Sequence, residues 1–273
     1  MSSSSRDKAV QHFQAHRSRY LDDLKDLIRI QSISFPGFDA APLKACADAV
    51  AQLMRTHGLP DVHILDTGAG SPAVFGQWLG ATARPTLLLY AHYDVQPVGT
   101  ISRWTTTPFE PSVRDGRLFG RGASDDKGGI LMLLAAISSC LKSTGSLPIN
   151  VKVLIEGEEE VGSVNLEKLL ATHRELLSAD AVVIADSENF DTGLPSLTAS
   201  LRGIVTVAVE VRSLSSSVHS GTWGGPTPDP VLALSRMLAT LVDGEGKPAI
   251  PGLGNRVRPL SAADRTALDR LPF

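Results

Sequence analysis

The sequence has 273 residues, of which 42% are hydrophobic and 20% are charged, a composition typical of one or two globular domains and not of a disordered chain. Its 26 basic and 29 acidic residues leave a net charge of −3, which gives no electrostatic reason to expect a nucleic-acid partner. No apolar run is long enough to span a membrane, and the first residues lack the apolar core of a secretory signal. Cys46 and Cys140 form no disulfide-type or zinc-type motif. A cytoplasmic protein is therefore expected.

Helical and strand-like patterns alternate along the first part of the chain. Residues 1–6 are rich in serine and are expected to be disordered, and Gly58 stands where a helix C-cap is expected. In chain order the predicted elements are helices at 8–30 and 41–57, strands at 61–65, 72–80 and 86–92, a helix at 126–141, a strand at 149–157, a helix at 165–176 and a strand at 179–186. This alternation predicts a layered α/β domain with an at least partly parallel sheet.

The pattern changes after Asp186, and a second domain is predicted to begin near residue 198. Residues 197–214 form one long strand-like segment without a preceding helix, and a Gly- and Pro-rich stretch follows it. Helical patterns then cover 229–242 and 261–270. The predicted domains are 1–197 and 198–273.

Acidic residues and a histidine follow three of the predicted strands, at the ends where open α/β sheets place their sites. Taken singly, each has an ordinary structural explanation, such as a helix N-cap or a solvated acidic face. Their coincidence favours a metal site, because gathered carboxylates repel one another unless a cation neutralises them. The residues concerned are His92, Asp94, Glu156, Glu158, Glu159, Glu160 and Asp186, with Asp125 before the next helix.

The residue types indicate how such a site would work. One imidazole with several carboxylates suits zinc, manganese or cobalt better than calcium. Asp94, two residues after His92, is placed to orient the imidazole ring. The adjacent Glu159 and Glu160 can divide two roles, one binding the metal and the other taking a proton from water, whose pKa a bound metal lowers to about 7.

Four motifs carry a family resemblance. HYDVQPVG, GRGASDDKGG, EGEEEVGS and the aspartate of VVIADSE resemble the dinuclear zinc metallopeptidase family of aminoacylases, glutamate carboxypeptidases, desuccinylases, carnosinases and cytosolic dipeptidases. The form of the first motif and the segment at 201–225 are most similar to the carnosinase and cytosolic dipeptidase branch. The resemblance extends over about residues 10–235.

The resemblance implies a three-layer α/β/α catalytic domain with a mostly parallel mixed sheet, followed by the start of a smaller α+β lid and dimerisation domain. It also implies two zinc ions, with manganese or cobalt as alternatives, a cis Asp125–Asp126 peptide, and a homodimer formed through the second domain. The implied roles are metal ligation by His92, Asp125, Glu160 and Asp186, with Asp125 bridging, general-base catalysis by Glu159, orientation of His92 by Asp94, and oxyanion stabilisation in the partner subunit by His219.

The sequence departs from the family pattern in its second half. No histidine follows His219, whereas the family supplies a further ligand to the second metal from a later histidine. The sequence therefore resembles the first part of a longer enzyme, and we expect one ion to bind well and a second weakly.

Three functions follow from these observations. The leading one is metal-dependent hydrolysis of peptide bonds, as in a dipeptidase or related exopeptidase acting on small peptides. The alternatives are an N-acyl-amino-acid amidase of the same family and a truncated, catalytically incompetent metal-binding or interaction protein.

Overall fold

The computed structural model describes residues 3–198 and 201–271. By their internal contacts, the residues divide into two units, Met1–Thr198 and Ala199–Phe273. Among the described residues, no helix is both long enough and apolar enough to cross a membrane.

A five-stranded mixed sheet forms the centre of the first unit. The strands of this unit are β1 (Asp61–Leu65), β2 (Ala73–Trp78), β3 (Thr86–His92), β4 (Ser112–Arg114), β5 (Arg117–Phe119), β6 (Asn150–Glu156) and β7 (Ala181–Ile184). The order in the large sheet is β1-β2-β6-β3-β7, and β4 pairs with β5 separately. Only β2 runs against its two neighbours, while β6, β3 and β7 are parallel. The prediction of a mostly parallel mixed sheet is confirmed.

Helices cover both faces of this sheet. They are α1 (Ser3–Arg29), α2 (Ala41–Thr56), α3 (Lys127–Thr144), α4 (Leu166–Thr172) and α5 (Arg174–Leu177). On one face, buried side chains of α1, α2 and α3 pack with Val153 and Ile155 of β6. On the other face, Leu169 of α4 and Leu177 of α5 pack with Leu154. The three predicted layers are therefore present.

The strand β6 shows why the sequence forms a buried sheet. Its side chains alternate between the two faces, as the period of a strand requires, and all of them except that of Asn150 are buried. A strand buried on both faces reads as a nearly continuous apolar run.

The end of α2 confirms the predicted glycine cap. Gly58 has a φ of +104°, a conformation that residues with a Cβ rarely adopt. The amide of Gly58 donates to Arg55 O at 3.1 Å, and the amide of Leu59 donates to Met54 O at 3.0 Å. This pair of hydrogen bonds is a Schellman motif.

The predicted disorder of residues 1–6 is wrong for Ser3–Arg6, which lie in α1; residues 1 and 2 lie outside the described residues. Serine is only moderately unfavourable in a helix, and α1 continues through the buried Ala9. The serine-rich composition therefore did not predict the start of this helix.

The second unit contains α6 (Ser220–Trp223), α7 (Pro230–Ala239) and α8 (Ala262–Leu268), so both helical predictions are confirmed in shorter form. The strand predicted at 197–214 is absent from residues 201–214, and residues 199 and 200 lie outside the described part. Its apolar side chains are exposed, Val205 at 87%. A strand-like sequence pattern forms a strand only where its side chains can pack against a partner strand. Within the described residues 201–271, the β-structure consists of isolated bridges such as Val242–Pro248.

Candidate metal centre

The parallel strands bring the predicted site residues to one edge of the sheet. His92 ends β3 and pairs in register with Glu156 at the end of β6. Asp186 follows β7, the other parallel neighbour of β3. Asp125 precedes α3 and is joined to Asp126 by a cis peptide bond, as expected.

Three carboxylates surround the Nε2 atom of His92. Its distance is 3.0 Å to Asp125 Oδ1, 3.8 Å to Asp186 Oδ2 and 3.9 Å to Glu159 Oε2. The imidazole is fully buried, whereas the Asp125 side chain is 61% exposed. The cluster therefore has a closed floor and a side open to solvent.

The other ring nitrogen of His92 fixes the tautomer. Its Nδ1 atom lies 3.0 Å from the backbone carbonyl oxygen of Asp94 and 3.3 Å from Asp94 Oδ1. A carbonyl oxygen can only accept a hydrogen bond, so Nδ1 carries the proton. The lone pair of a neutral imidazole is then on Nε2, facing the carboxylates, as a metal ligand requires.

The buried carboxylate of Asp94 also holds the glutamate pair in place. Its Oδ1 accepts the backbone N–H of Glu159 at 3.2 Å, and its Oδ2 accepts that of Glu160 at 3.1 Å. Asp94 thus fixes the 3₁₀ turn Glu159–Val161 relative to His92. This geometry supports the orienting role predicted for Asp94 and adds a second one.

Glu160 is held by a residue to which the sequence analysis assigned no role. Gln96 donates its backbone N–H to Glu160 Oε1 at 3.1 Å and its side-chain amide to Oε2 at 2.6 Å. Glu159 reaches the His92 cluster, while the carboxylate of Glu160 is turned toward Gln96. The only feature of the sequence that pointed to a role for Gln96 is its position within the HYDVQPVG motif.

Asp126 and Lys127, at the start of α3, make specific contacts with the backbone of other segments. Asp126 occupies the N-cap position of α3 without a side-chain cap bond, and instead its Oδ2 accepts the backbone N–H of His92 at 3.1 Å. The buried ammonium of Lys127 donates to Leu27 O at 2.8 Å and Ile30 O at 2.6 Å. Both residues connect the start of α3 to neighbouring backbone.

The electrostatics of the cluster show an excess of negative charge. Burial lowers the pKa of His92, but its hydrogen bond to Asp94 and the charges of Asp94, Asp126 and Asp186 outweigh burial and raise the pKa to about 10. Burial also raises the pKa of Glu159, and the nearby Asp186 and Glu160 raise it further. The site therefore favours a positive charge at its centre.

The donor set fits a divalent metal ion. One atom each from His92, Glu159 and Asp186 lie within 4.8 Å of one another. Zinc with four ligands at about 2.0–2.2 Å places those ligand atoms roughly 3.3–3.6 Å apart. The distances from His92 Nε2 to its three carboxylate neighbours, 3.0 to 3.9 Å, bracket this spacing.

His219 belongs to the second unit and is exposed. It caps the short helix α6, where its Nδ1 accepts the backbone N–H of Gly221 at 3.1 Å. Its role in oxyanion stabilisation rests on the resemblance alone and stays a prediction.

Comparisons with known proteins agree with the site. Residues 88–250 match the description "Peptidase family M20/M25/M40". The chain is 36% identical to a cysteinylglycine-S-conjugate dipeptidase from Corynebacterium striatum over 87% of this chain and 52% of that protein. It is 30% identical to a rat beta-Ala-His dipeptidase over 97% of this chain and 56% of that protein.

Two solved structures have the same fold. The di-peptidase Dug1p from Saccharomyces cerevisiae superposes with a TM-score of 0.75 at 25% identity, over 100% of this chain and 60% of that chain. An M20 family metallo-carboxypeptidase from Sulfolobus solfataricus gives a TM-score of 0.74 at 30% identity, over 93% of this chain and 56% of that chain. The chain spans about half the length of the curated relatives it matches. The match over residues 88–250 contains the whole His92 cluster, and the chain belongs to peptidase family M20/M25/M40.

Proposed function

We propose that this chain carries the metal-binding and proton-transfer groups of a zinc-dependent hydrolase that cleaves short peptides, with dipeptides as the substrate class. The observation that carries the proposal is the position of the His92 imidazole, with three carboxylates within 3.9 Å of its Nε2 atom. The dipeptidases among the relatives support the substrate class.

His92, Asp125 and Asp186 would hold one zinc ion, and Asp125 with Glu160 would contribute to a second. When bound, zinc lowers the pKa of water and polarises the carbonyl of the scissile bond. The buried imidazole of His92 is held rigidly by Asp94. Asp125 would contribute to both ions, as the family resemblance implies, and its exposed carboxylate lies at the open side of the cluster.

Glu159 would act as the general base. Its carboxylate lies 3.9 Å from His92 Nε2 and belongs to the wall of the cluster, where burial raises its pKa. A carboxylate with a raised pKa can take a proton from the attacking water and deliver it to the nitrogen of the departing amine. Asp94 positions this group through the backbone N–H of Glu159.

The test combines metal analysis with a substrate panel. The purified chain is loaded with Zn²⁺ or Mn²⁺, its metal content is measured, and dipeptides are compared with N-acetyl and N-succinyl amino acids. We expect bound metal and release of free amino acids from dipeptides, both lost in His92→Ala. Failure to retain metal would refute the site. Metal without turnover of any dipeptide would contradict catalysis by this chain, and cleavage of only the N-acyl compounds would overturn the substrate class.

A further inference from the structure

A polar cavity lies far from the His92 cluster, between α1, the end of α2 and α3. Its volume is about 200 Å³. Lys142, one of its lining residues, stands about 22 Å farther along α3 than Lys127, at 1.5 Å per residue. The lining residues are His12, His16, Arg19, Tyr20, Thr56, His57, Ser138 and Lys142.

Helical spacing brings the basic groups of this cavity together. His12, His16 and Arg19 recur at intervals of four and three residues, so they share one face of α1. Ser138 and Lys142 are likewise four residues apart on α3, and His57 ends α2. Three separate elements therefore direct basic or hydroxyl groups toward the same space.

The positive charge of the cavity is largely uncompensated. No lining residue is acidic, and the carboxylate of Asp23 lies 3.0 Å from His57 Nε2. Within 3–198 and 201–271, neither Arg19 nor Lys142 forms an ion pair with a carboxylate. The Nδ1 atom of His12 is buried and has no hydrogen-bond partner among the described residues. The cavity thus contains unused donors.

The histidines are affected by this excess charge. Burial lowers the pKa of His57, and Arg19 and Lys142 lower it further, so that the opposing effect of Asp23 does not restore it. Burial, His16 and Lys142 together lower the pKa of His12. An anion in the cavity would relieve both effects, because an opposite charge nearby favours the protonated imidazole.

A purely structural explanation covers only part of this cluster. A lysine in the last turn of α3 interacts favourably with the helix dipole, which would account for Lys142. The same argument does not apply to Arg19 or His12, which lie well inside α1.

We propose that this cavity is a binding site for a phosphoryl oxyanion, either free phosphate or the phosphate group of a small metabolite. Arg19 and Lys142 would form charge-assisted hydrogen bonds with its oxygens. Protonated His12 and the hydroxyls of Thr56 and Ser138 complete the set of donors.

The test titrates inorganic phosphate into the purified 273-residue chain in metal-free buffer, with chloride used to keep the ionic strength constant. Calorimetry measures affinity and NMR follows the imidazole signals. We expect saturable binding, a rise in the pKa of His12 and His57, and about tenfold weaker binding in Arg19→Ala and in Lys142→Ala, each of which removes one charged donor. Lys44→Ala, an exposed lysine on α2, should bind phosphate as the unmodified chain does.

Other outcomes would overturn the proposal. These are the absence of saturation, equal weakening by Lys44→Ala, or loss of phosphate binding in His92→Ala, which would place the anion at the metal centre. Movement of the His12 and His57 signals with Zn²⁺ but not with phosphate would make the cavity a metal site. Glycerol phosphate is titrated in parallel, and tighter binding than phosphate would identify a phosphorylated metabolite as the ligand. The proposal does not depend on hydrolysis, since its readouts require no activity.

Discussion

At the scale of single residues, Asp94 connects the parts of the metal centre. Its two carboxylate oxygens accept the backbone N–H groups of Glu159 and Glu160, and one of them also faces His92 Nδ1. A fully buried carboxylate with these partners fixes both the imidazole and the glutamate turn. The position of the predicted metal ligands therefore depends on Asp94, which is not itself a predicted ligand.

Replacing Asp94 with asparagine should weaken both folding and metal binding. The amide NH₂ group would face a backbone N–H, so one acceptor would be lost and one donor left unpaired. We expect the free energy of unfolding to fall by about 1–3 kcal/mol and zinc affinity to fall roughly 10- to 100-fold. Urea unfolding and a zinc competition assay measure the two effects.

Asp66→Asn is the matched control for this variant. Asp66 accepts the backbone N–H of Gly68 at 2.7 Å in an exposed loop, where water can replace the lost hydrogen bond. Equal losses of stability and zinc affinity in the two variants would show that Asp94 has no special positioning role.

Substitution of the two adjacent glutamates should have different effects on metal binding and turnover. Glu159→Gln should retain the tightly bound metal, and turnover should fall about 10²- to 10⁴-fold because the base is lost. Glu160→Gln should keep the first metal and weaken the second, whose expected ligands within this chain are Asp125 and Glu160. Metal content by elemental analysis and rates of dipeptide hydrolysis distinguish the roles. Loss of the tight metal in Glu159→Gln would instead make Glu159 a ligand, as its distance to His92 also allows.

At the scale of secondary-structure elements, the junction of α2 and α3 depends on a glycine. Gly58 ends α2 with a positive φ, and a Cβ added to it would lie 2.9 Å from Leu141 Cδ1 of α3. Gly37 has a similar φ of +92°, but a Cβ added there would have no atom within 4 Å. The two glycines therefore separate backbone strain from crowding.

Gly58→Ala should be more destabilising than Gly37→Ala. Both variants force alanine into the left-handed region, at about 1–2 kcal/mol. Gly58→Ala should lose about 0.5–1.5 kcal/mol more, because the end of the Leu141 side chain must shift away from the new methyl group. The free energies of unfolding in urea test this order, and equal values would mean that α3 adjusts without cost.

The elements that the sequence predicts well are those with a strong local pattern. A few consecutive residues are enough to predict the strands β3 and β6, from their apolar runs, and the end of α2, from its glycine. The order of the sheet cannot be read in the same way, because β6 separates β2 from β3. The strand predicted at 197–214 fails for a related reason, since a strand requires a partner that its own residues do not specify.

The residues of the candidate site also fall into a group that the sequence predicts and a group that it does not. The placement of His92 and Asp186 follows from the rule that parallel strands present their carboxyl ends at one edge. The contacts of Gln96 and Asp126 cannot be predicted from this rule. Each joins a side chain to a backbone N–H of a segment that is distant in the sequence. Side chains that bind backbone atoms of another segment carry no spacing signal in the sequence.

At the scale of the whole molecule, the buried core belongs to the first unit. Both hydrophobic clusters are formed by residues before Asp186, and every fully buried side chain among the described residues lies before Thr198. In the second unit, the described residues 201–271 are exposed or only half-buried. All the predicted metal ligands also lie in the first unit.

A fragment of residues 1–198 should therefore fold cooperatively and bind zinc as the full chain does. Burial of apolar surface is the main stabilising contribution to folding, and this fragment retains both clusters. We expect the midpoint of thermal unfolding to change by only a few degrees, which corresponds to less than about 1 kcal/mol for a domain of this size. Calorimetry and a zinc titration compare the fragment with the full chain, and His92→Ala in the fragment serves as the control for specific binding. A fragment that unfolds without a cooperative transition, or that binds zinc no better than its His92→Ala variant, would show that the second unit contributes to the stability or the metal centre of the first.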